Sequence, residues 1–199
     1  MNRMKRFVIM ADGKGTRWAN YMGVPKHLVE INGEPIIGRT VRLLNEMMDG
    51  NCEVIITSHD ERYEFEGSRR HEPLNNNLEI DRFTQELIAD NTCFLYGDTY
   101  YTEEALREIL DTENEDVLFF GNAKSIVAIN VRNSAMFEEH VSNVRQLFLD
   151  GKIEKCVGWQ VYQSITGQDF SQKAEMGGRF VILDSKTTDI NTPEEYKVI

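Results

Sequence analysis

Long hydrophobic runs are missing: the stretch 7–11 ends at Asp12, and nothing approaches the roughly 20 apolar residues that cross a bilayer. The basic start, Met1 to Arg6, is followed only by that short stretch, too little for the core of a signal peptide. The expectation is a cytoplasmic protein with no membrane partner. Cysteine is scarce, and Cys52, Cys93 and Cys156 are odd in number and far apart, which argues against a disulfide framework and for reduced core thiols. Positive charge is also in deficit. The formal net charge of −11 repels nucleic acid, so an anionic ligand has to find a local basic site. The four histidines, His27, His59, His71 and His140, show no metal spacing and no paired nucleophile, and none receives a catalytic role. Repeats and low-complexity segments are absent as well. What is present, 41% hydrophobic and 28% charged residues over 199 positions, is ordinary globular composition, enough for one domain spanning residues 1–199.

The order of elements reads as α/β. Residues 7–11 form a buried strand that runs into a glycine-containing loop. Apolar residues at helical spacing predict a helix over 35–48, with Pro35 in its first turn and Gly50 behind it. A strand at 52–57 completes a βαβ pattern. Residues 63–77 read as an irregular excursion, 78–88 as a helix, 92–96 as a strand and 102–110 as a helix capped by Thr102. Strands at 116–120 and 125–131, a helix at 135–149, a strand at 180–183 and a short final helix opened by Thr192 and Pro193 follow. The segment 152–178 has no legible pattern.

The strongest chemical signal is Ala11-Asp12-Gly13-Lys14-Gly15-Thr16-Arg17, with Pro25-Lys26 after it. Glycines let a backbone turn tightly and bring its N–H groups against phosphate oxygens. Arg17 can clamp a phosphate through parallel hydrogen bonds, and Lys26 can follow it as a point charge. Two familiar phosphate motifs do not fit. The P-loop pattern requires glycine at Val8 and Ser or Thr at Gly15, and the dinucleotide fingerprint requires glycine at Trp18.

This opening, continued by Leu28-Val29-Glu30-Ile31-Asn32-Gly33-Glu34-Pro35, resembles the nucleotidyltransferases that make sugar nucleotides and related activated metabolites. The resemblance covers the first 48 residues closely and the rest at spaced landmarks. It implies a Rossmann-like, GT-A-type fold with a mostly parallel central sheet flanked by helices. In such a fold residues 11–16 wrap a nucleoside triphosphate, and Arg17 and Lys26 bind its phosphates. Asp98, at the end of Phe94-Leu95-Tyr96-Gly97-Asp98, is then the first ligand of Mg²⁺. The late segment Asp189-Ile190-Asn191-Thr192-Pro193 supplies the second at Asn191, with Asp189 as the other candidate. Asp12 departs from the family, which has a small residue there, and a carboxylate beside a triphosphate is unfavourable unless it turns away or faces a metal.

The implied reaction joins the NMP part of an NTP to a phosphorylated small molecule, with release of pyrophosphate. A phosphorylated sugar is the first choice of acceptor and an alcohol phosphate such as phosphocholine the second. An acceptor phosphate is largely dianionic at neutral pH, so no enzyme base is required. Lys124 and Lys173 are weaker candidates for contacting it, and Tyr100, Tyr101, Trp159 and Tyr162 for lining its pocket. Three alternatives stay open. A glycosyltransferase of related fold usually has two aspartates flanking one residue at its metal, but Tyr96 and Tyr100 flank Asp98 here. A molybdopterin guanylyltransferase has Asp-Lys-Gly where this chain has Pro25-Lys26-His27. A nucleotide-binding module without turnover is the third.

Overall fold

The strand β1 (Lys5–Met10) sends Phe7 and Ile9 to one side and Val8 and Met10 to the other, all of them buried. That alternation makes it the centre of a sheet covered on both faces. The computed structural model describes residues 4–13, 15, 17–19, 21–183 and 186–197. Along it follow a hairpin of β2 (Glu30–Ile31) and β3 (Glu34–Pro35), α1 (Ile36–Met47), β4 (Cys52–Thr57), β5 (Arg69–His71), β6 (Thr92–Tyr96) and β7 (Thr99–Tyr101). The second half holds α2 (Glu103–Asp111), β8 (Val117–Gly121), β9 (Ile126–Val131), α3 (Ser134–Leu149), α4 (Gly158–Thr166), β10 (Phe180–Ile182), β11 (Thr187–Asp189) and α5 (Pro193–Tyr196).

The main sheet has seven strands in the order β10-β8-β9-β6-β1-β4-β5. Every pairing is parallel except the two made by β9, which turns back from β8 through a short hairpin. Phe7 and Ile9 pack with Ile37, Val41 and Leu44 of α1 and with Leu106 and Ile109 of α2. On the opposite face, Val8 and Met10 join Phe137 and Val144 of α3 and Val161 and Tyr162 of α4. The result is the α/β, mostly parallel architecture expected from the strand-helix alternation. Among the described residues no helix is long and apolar enough to cross a membrane.

Three segments differ from the sequence reading. The stretch 63–77, read as an irregular excursion, contains β5, which pairs in parallel with β4 at the edge of the main sheet. The stretch 78–88 is not one helix but two 3₁₀ turns, Glu79–Phe83 and Gln85–Leu87. Thr84 lies between them at φ 42°, a left-handed conformation that breaks an α-helix, and its hydroxyl turns back to the Arg82 carbonyl. The segment 152–178 contains the unforeseen helix α4. It starts on a glycine and carries the buried amide of Gln163, whose Nε2 donates to the Asp169 and Gln172 carbonyls. Weak helix formers and a polar core residue hide its periodicity. Pro35 stands one place earlier than expected, at the N-cap of α1 rather than in its first turn. The three thiols are free, with Cys93 and Cys156 buried and Cys52 half-buried.

Candidate active site

The loop after β1 leaves the sheet at Ala11, which is buried and donates its N–H to the Thr57 carbonyl at 3.2 Å. Gly13 is exposed, and Gly15 has φ +56°, a conformation that glycine adopts without strain. The Gly15 carbonyl accepts the Trp18 N–H, and the buried Trp18 ring packs with Val29, Ile36 and Ile190. The position that denies this chain a dinucleotide fingerprint is thus what pins its loop. Lys14 and Thr16 lie outside the described residues. The Asp12 carboxylate is engaged by partners from other loops. It accepts from the His59 N–H and Nδ1 at 3.0 and 2.8 Å and from the Asn76 amide at 2.8 Å. The same Asn76 amide donates to the Asp12 carbonyl, so Asp12 ties three loops together at this sheet edge.

Asp98 reaches the same edge because Gly97 has no side chain. A Cβ there would stand 2.7 Å from the Met10 carbonyl, to which the Gly97 N–H itself donates. Only glycine lets the chain leaving β6 pass so close to the end of β1. Antiparallel pairing of β7 with β11 then brings the C-terminal segment alongside, and the Ile190 N–H donates to the Asp98 carbonyl at 2.8 Å. Asn191 follows directly, its own N–H held by the Glu195 carboxylate in the cap of α5.

These constraints bring together four of the residues singled out in the sequence. The Lys26 ammonium lies 2.5 Å from Asp98 Oδ2 and 3.1 Å from Asn191 Oδ1, and Arg17 Nη2 lies 3.1 Å from the same Asn191 oxygen. Lys26 is only 11% exposed at its side chain. Lys26 is thus enclosed, whereas Arg17 is exposed. Burial acts to raise the Asp98 carboxyl, but the Lys26 ammonium, His27 and Arg82 outweigh it and hold the group below the usual carboxylate range.

His27, beside Lys26, is buried and shares a 2.9 Å hydrogen bond with the Tyr63 hydroxyl. Burial lowers its pKa from the ordinary 6.5 to about 4. The folded state therefore binds this proton less readily than the unfolded chain. Its contribution to stability is full above the unfolded value and is lost as pH falls from about 6.5 towards 4. On the order of 3 kcal/mol of acid sensitivity is expected from this group. Denaturant unfolding at several pH values should show a shallower loss over that window in His27→Gln, and an identical slope would remove His27 as the cause.

The clefts follow from this framework. One of about 430 Å³ is lined by Asp12, Gly13, Gly15, Arg17, Lys26 and Asp98 among others. A second of about 580 Å³ lies across the loop, against His27, Ser58, His59 and Tyr63. A third of about 170 Å³ adjoins the first, shares Arg17, Asp98 and Asn191 with it, and contains Lys124, Trp159 and Asp189. A separate groove lies at the opposite ends of the strands, beside Lys5, Thr92 and Asn130, and among the described residues lining it there is no carboxylate and no glycine.

Of the weaker candidates, Lys124 and Trp159 reach the third cleft, with the Trp159 ring stacked on Phe180. Tyr101 and Tyr162 are core residues, Tyr100 lies under the Arg39 guanidinium at 4.5 Å, and Lys173 is exposed. Asp189 accepts from the Thr99 hydroxyl at 3.0 Å, and burial raises its carboxyl. Sequence reasoning missed Asn76, Glu79 and Arg82 in the cleft walls. The run Asn75-Asn76-Asn77 was the available signal, since polar amides beside a sheet edge commonly hold loops.

No family model matches the chain, and no curated protein matches it in sequence. Solved structures do. CTP:phosphocholine cytidylyltransferase from Streptococcus pneumoniae is similar at a TM-score of 0.61 and 15% identity, over 98% of this chain and 96% of that one. UDP-glucose pyrophosphorylase from Acinetobacter baumanii gives a TM-score of 0.56 at 12% identity, over 98% and 91%. The inositol-1-phosphate CTP transferase from T. maritima gives 0.55 at 13%, over 96% and 91%. At such identities the likeness is one of fold, and the fold is that of the nucleotidyltransferases.

Proposed function

We propose that this chain, whose fold is that of the nucleotidyltransferases, transfers NMP from an NTP to a phosphorylated small molecule and releases pyrophosphate. The observation that carries the reading is the convergence of Lys26, Asp98, Asn191 and Arg17 at the mouth of the glycine loop. In this reading the N–H groups of residues 11–16 and the cations Arg17 and Lys26 hold the triphosphate. An oxygen of the acceptor phosphate forms a bond to the α-phosphorus while the bond to the bridging oxygen breaks. Pyrophosphate leaves with that electron pair. No proton has to be removed from the attacking oxygen, so the reaction requires no residue as a base. Catalysis rests on alignment and on charge neutralisation.

The same residues fit a magnesium ion. Asp98 Oδ2 and Asn191 Oδ1 already converge on one cation, the Lys26 ammonium. Magnesium commonly takes only one or two protein ligands and fills its shell with phosphate and water. Mg²⁺ bound by Asp98 and Asn191 would supply charge neutralisation to the triphosphate. Asp189, committed to Thr99, is the less suited of the two candidates for the second ligand.

A phosphorylated sugar remains the first acceptor to test and an alcohol phosphate the second. Pyrophosphate release measured for the four NTPs and dTTP against both classes should require the acceptor's phosphate, with the free sugar or alcohol inert. Robust release with an unphosphorylated acceptor would show the wrong reaction class. Release with none, despite tight NTP binding, would favour a non-catalytic nucleotide-binding module.

A further inference from the structure

The turn Glu79–Phe83 has three residues per repeat, so residues three apart share a side. Ile80 and Phe83 occupy the core side, with the Phe83 ring against Phe94 and Phe137. Asp81 takes a second side, accepting from the N–H groups of Asn77 and Leu78 and from Arg145 Nε. Glu79 and Arg82 are left together on the third, and both line the glycine-loop cleft and the smaller cleft adjoining it.

Arg82 is held in place there. Its Nη2 donates to Glu79 Oε1 at 2.8 Å, its Nε donates to the Glu79 carbonyl at 3.0 Å, and its guanidinium carbon lies 5.5 Å from the centre of the Tyr96 ring. A guanidinium fixed at its edge and its face is a planar fork of donors aimed in advance, suited to a tetrahedral oxyanion. The smaller cleft, which contains no described residue of the loop 11–16, gathers Arg17, Arg82 and Lys124 beside the carboxylates Glu79, Asp98 and Asp189. Those carboxylates are already engaged, Glu79 by Arg82, Asp98 by Lys26 and Asp189 by the Thr99 hydroxyl, so an anion entering beside the triphosphate meets Arg17, Arg82 and Lys124.

We propose that Arg82 binds the acceptor's phosphate at the junction of the two clefts and orients it toward the α-phosphorus. This rests on the function proposed above. Lys124 is the second cation of that subsite, and Glu79 is the positioning residue that keeps the guanidinium at its post.

The probes are inorganic phosphate, standing for the acceptor's phosphate, and tripolyphosphate, standing for that of the nucleotide. Each is titrated by amide and arginine-Nε resonances into the wild type, Arg82→Gln, Arg82→Lys and Arg17→Ala, with phosphate added after tripolyphosphate saturates. Arg82→Gln should weaken phosphate at least about fivefold and leave tripolyphosphate within about twofold, with Arg82→Lys between it and the wild type. Arg17→Ala should do more harm to tripolyphosphate. Unchanged phosphate affinity in Arg82→Gln, equal weakening of both anions, or no phosphate binding to the wild type overturns the assignment. These are binding measurements and stand apart from turnover. Failure of every acceptor to yield pyrophosphate would instead overturn the reaction itself.

Discussion

Asp98→Asn is expected to lower kcat/KM for nucleotidyl transfer by at least about 100-fold, the scale of losing a preorganised charge at the reacting phosphates. The substitution keeps the shape of the side chain and the Gly97 passage beside β1, so circular dichroism should report an unchanged fold. It removes the charge that faces Lys26 at 2.5 Å and that would hold Mg²⁺. Asn191→Asp, by contrast, offers the same oxygen with added charge and should keep most activity. Near-normal turnover in Asp98→Asn would sink the assignment of Asp98, and a dead Asn191→Asp would exclude its proposed equivalence.

Lys26→Ala should cost activity at least about tenfold and should also destabilise the protein, by about 2 kcal/mol at neutral pH. Removing the ammonium leaves a largely buried carboxylate without its main partner, with side chains only 11% and 19% exposed. The sign can be followed with pH. In the wild type the Asp98 carboxyl lies below its ordinary value, so its contribution is present above that value and is lost as acid titrates it. Without Lys26 the upward push of burial is less opposed, the carboxyl titrates at higher pH, and the penalty of the variant should shrink as pH falls. Unfolding free energies at pH 7 and pH 4 test this. A penalty that grows in acid would contradict the ion-pair account. Arg17→Ala, which removes an exposed side chain, should lose activity comparably with little change in stability.

The sheet was legible because buried parallel strands are short, apolar and separated by amphipathic helices, and β1 and β4, with α1 between them, show this within residues 5–57. The glycine loop and Gly97-Asp98 were legible for a related reason: each couples a backbone requirement to a chemical one. A residue that must lack a side chain stands next to one that must carry charge. The pairing of β7 with β11 was not legible, since each has three residues and only their register brings Asp98 beside Asn191. Helix α4 was concealed by its glycine start and its buried Gln163. Arg82 was missed because 78–88 reads as one helix, whereas the three-residue repeat of the turn Glu79–Phe83 is what sets Arg82 beside Glu79. Asp12 was read as a liability beside phosphate, but its partners His59 and Asn76 arrive from loops 47 and 64 positions away.

The central claim is that an acceptor phosphate oxygen attacks the α-phosphorus of the NTP. The direct measurement uses an acceptor whose phosphate carries ¹⁸O, with the products read by ³¹P NMR and mass spectrometry. The account predicts that ¹⁸O enters the bridge of the new diphosphate and that the pyrophosphate released is unlabelled. Label in the released phosphate or pyrophosphate, with none in the bridge, would contradict it.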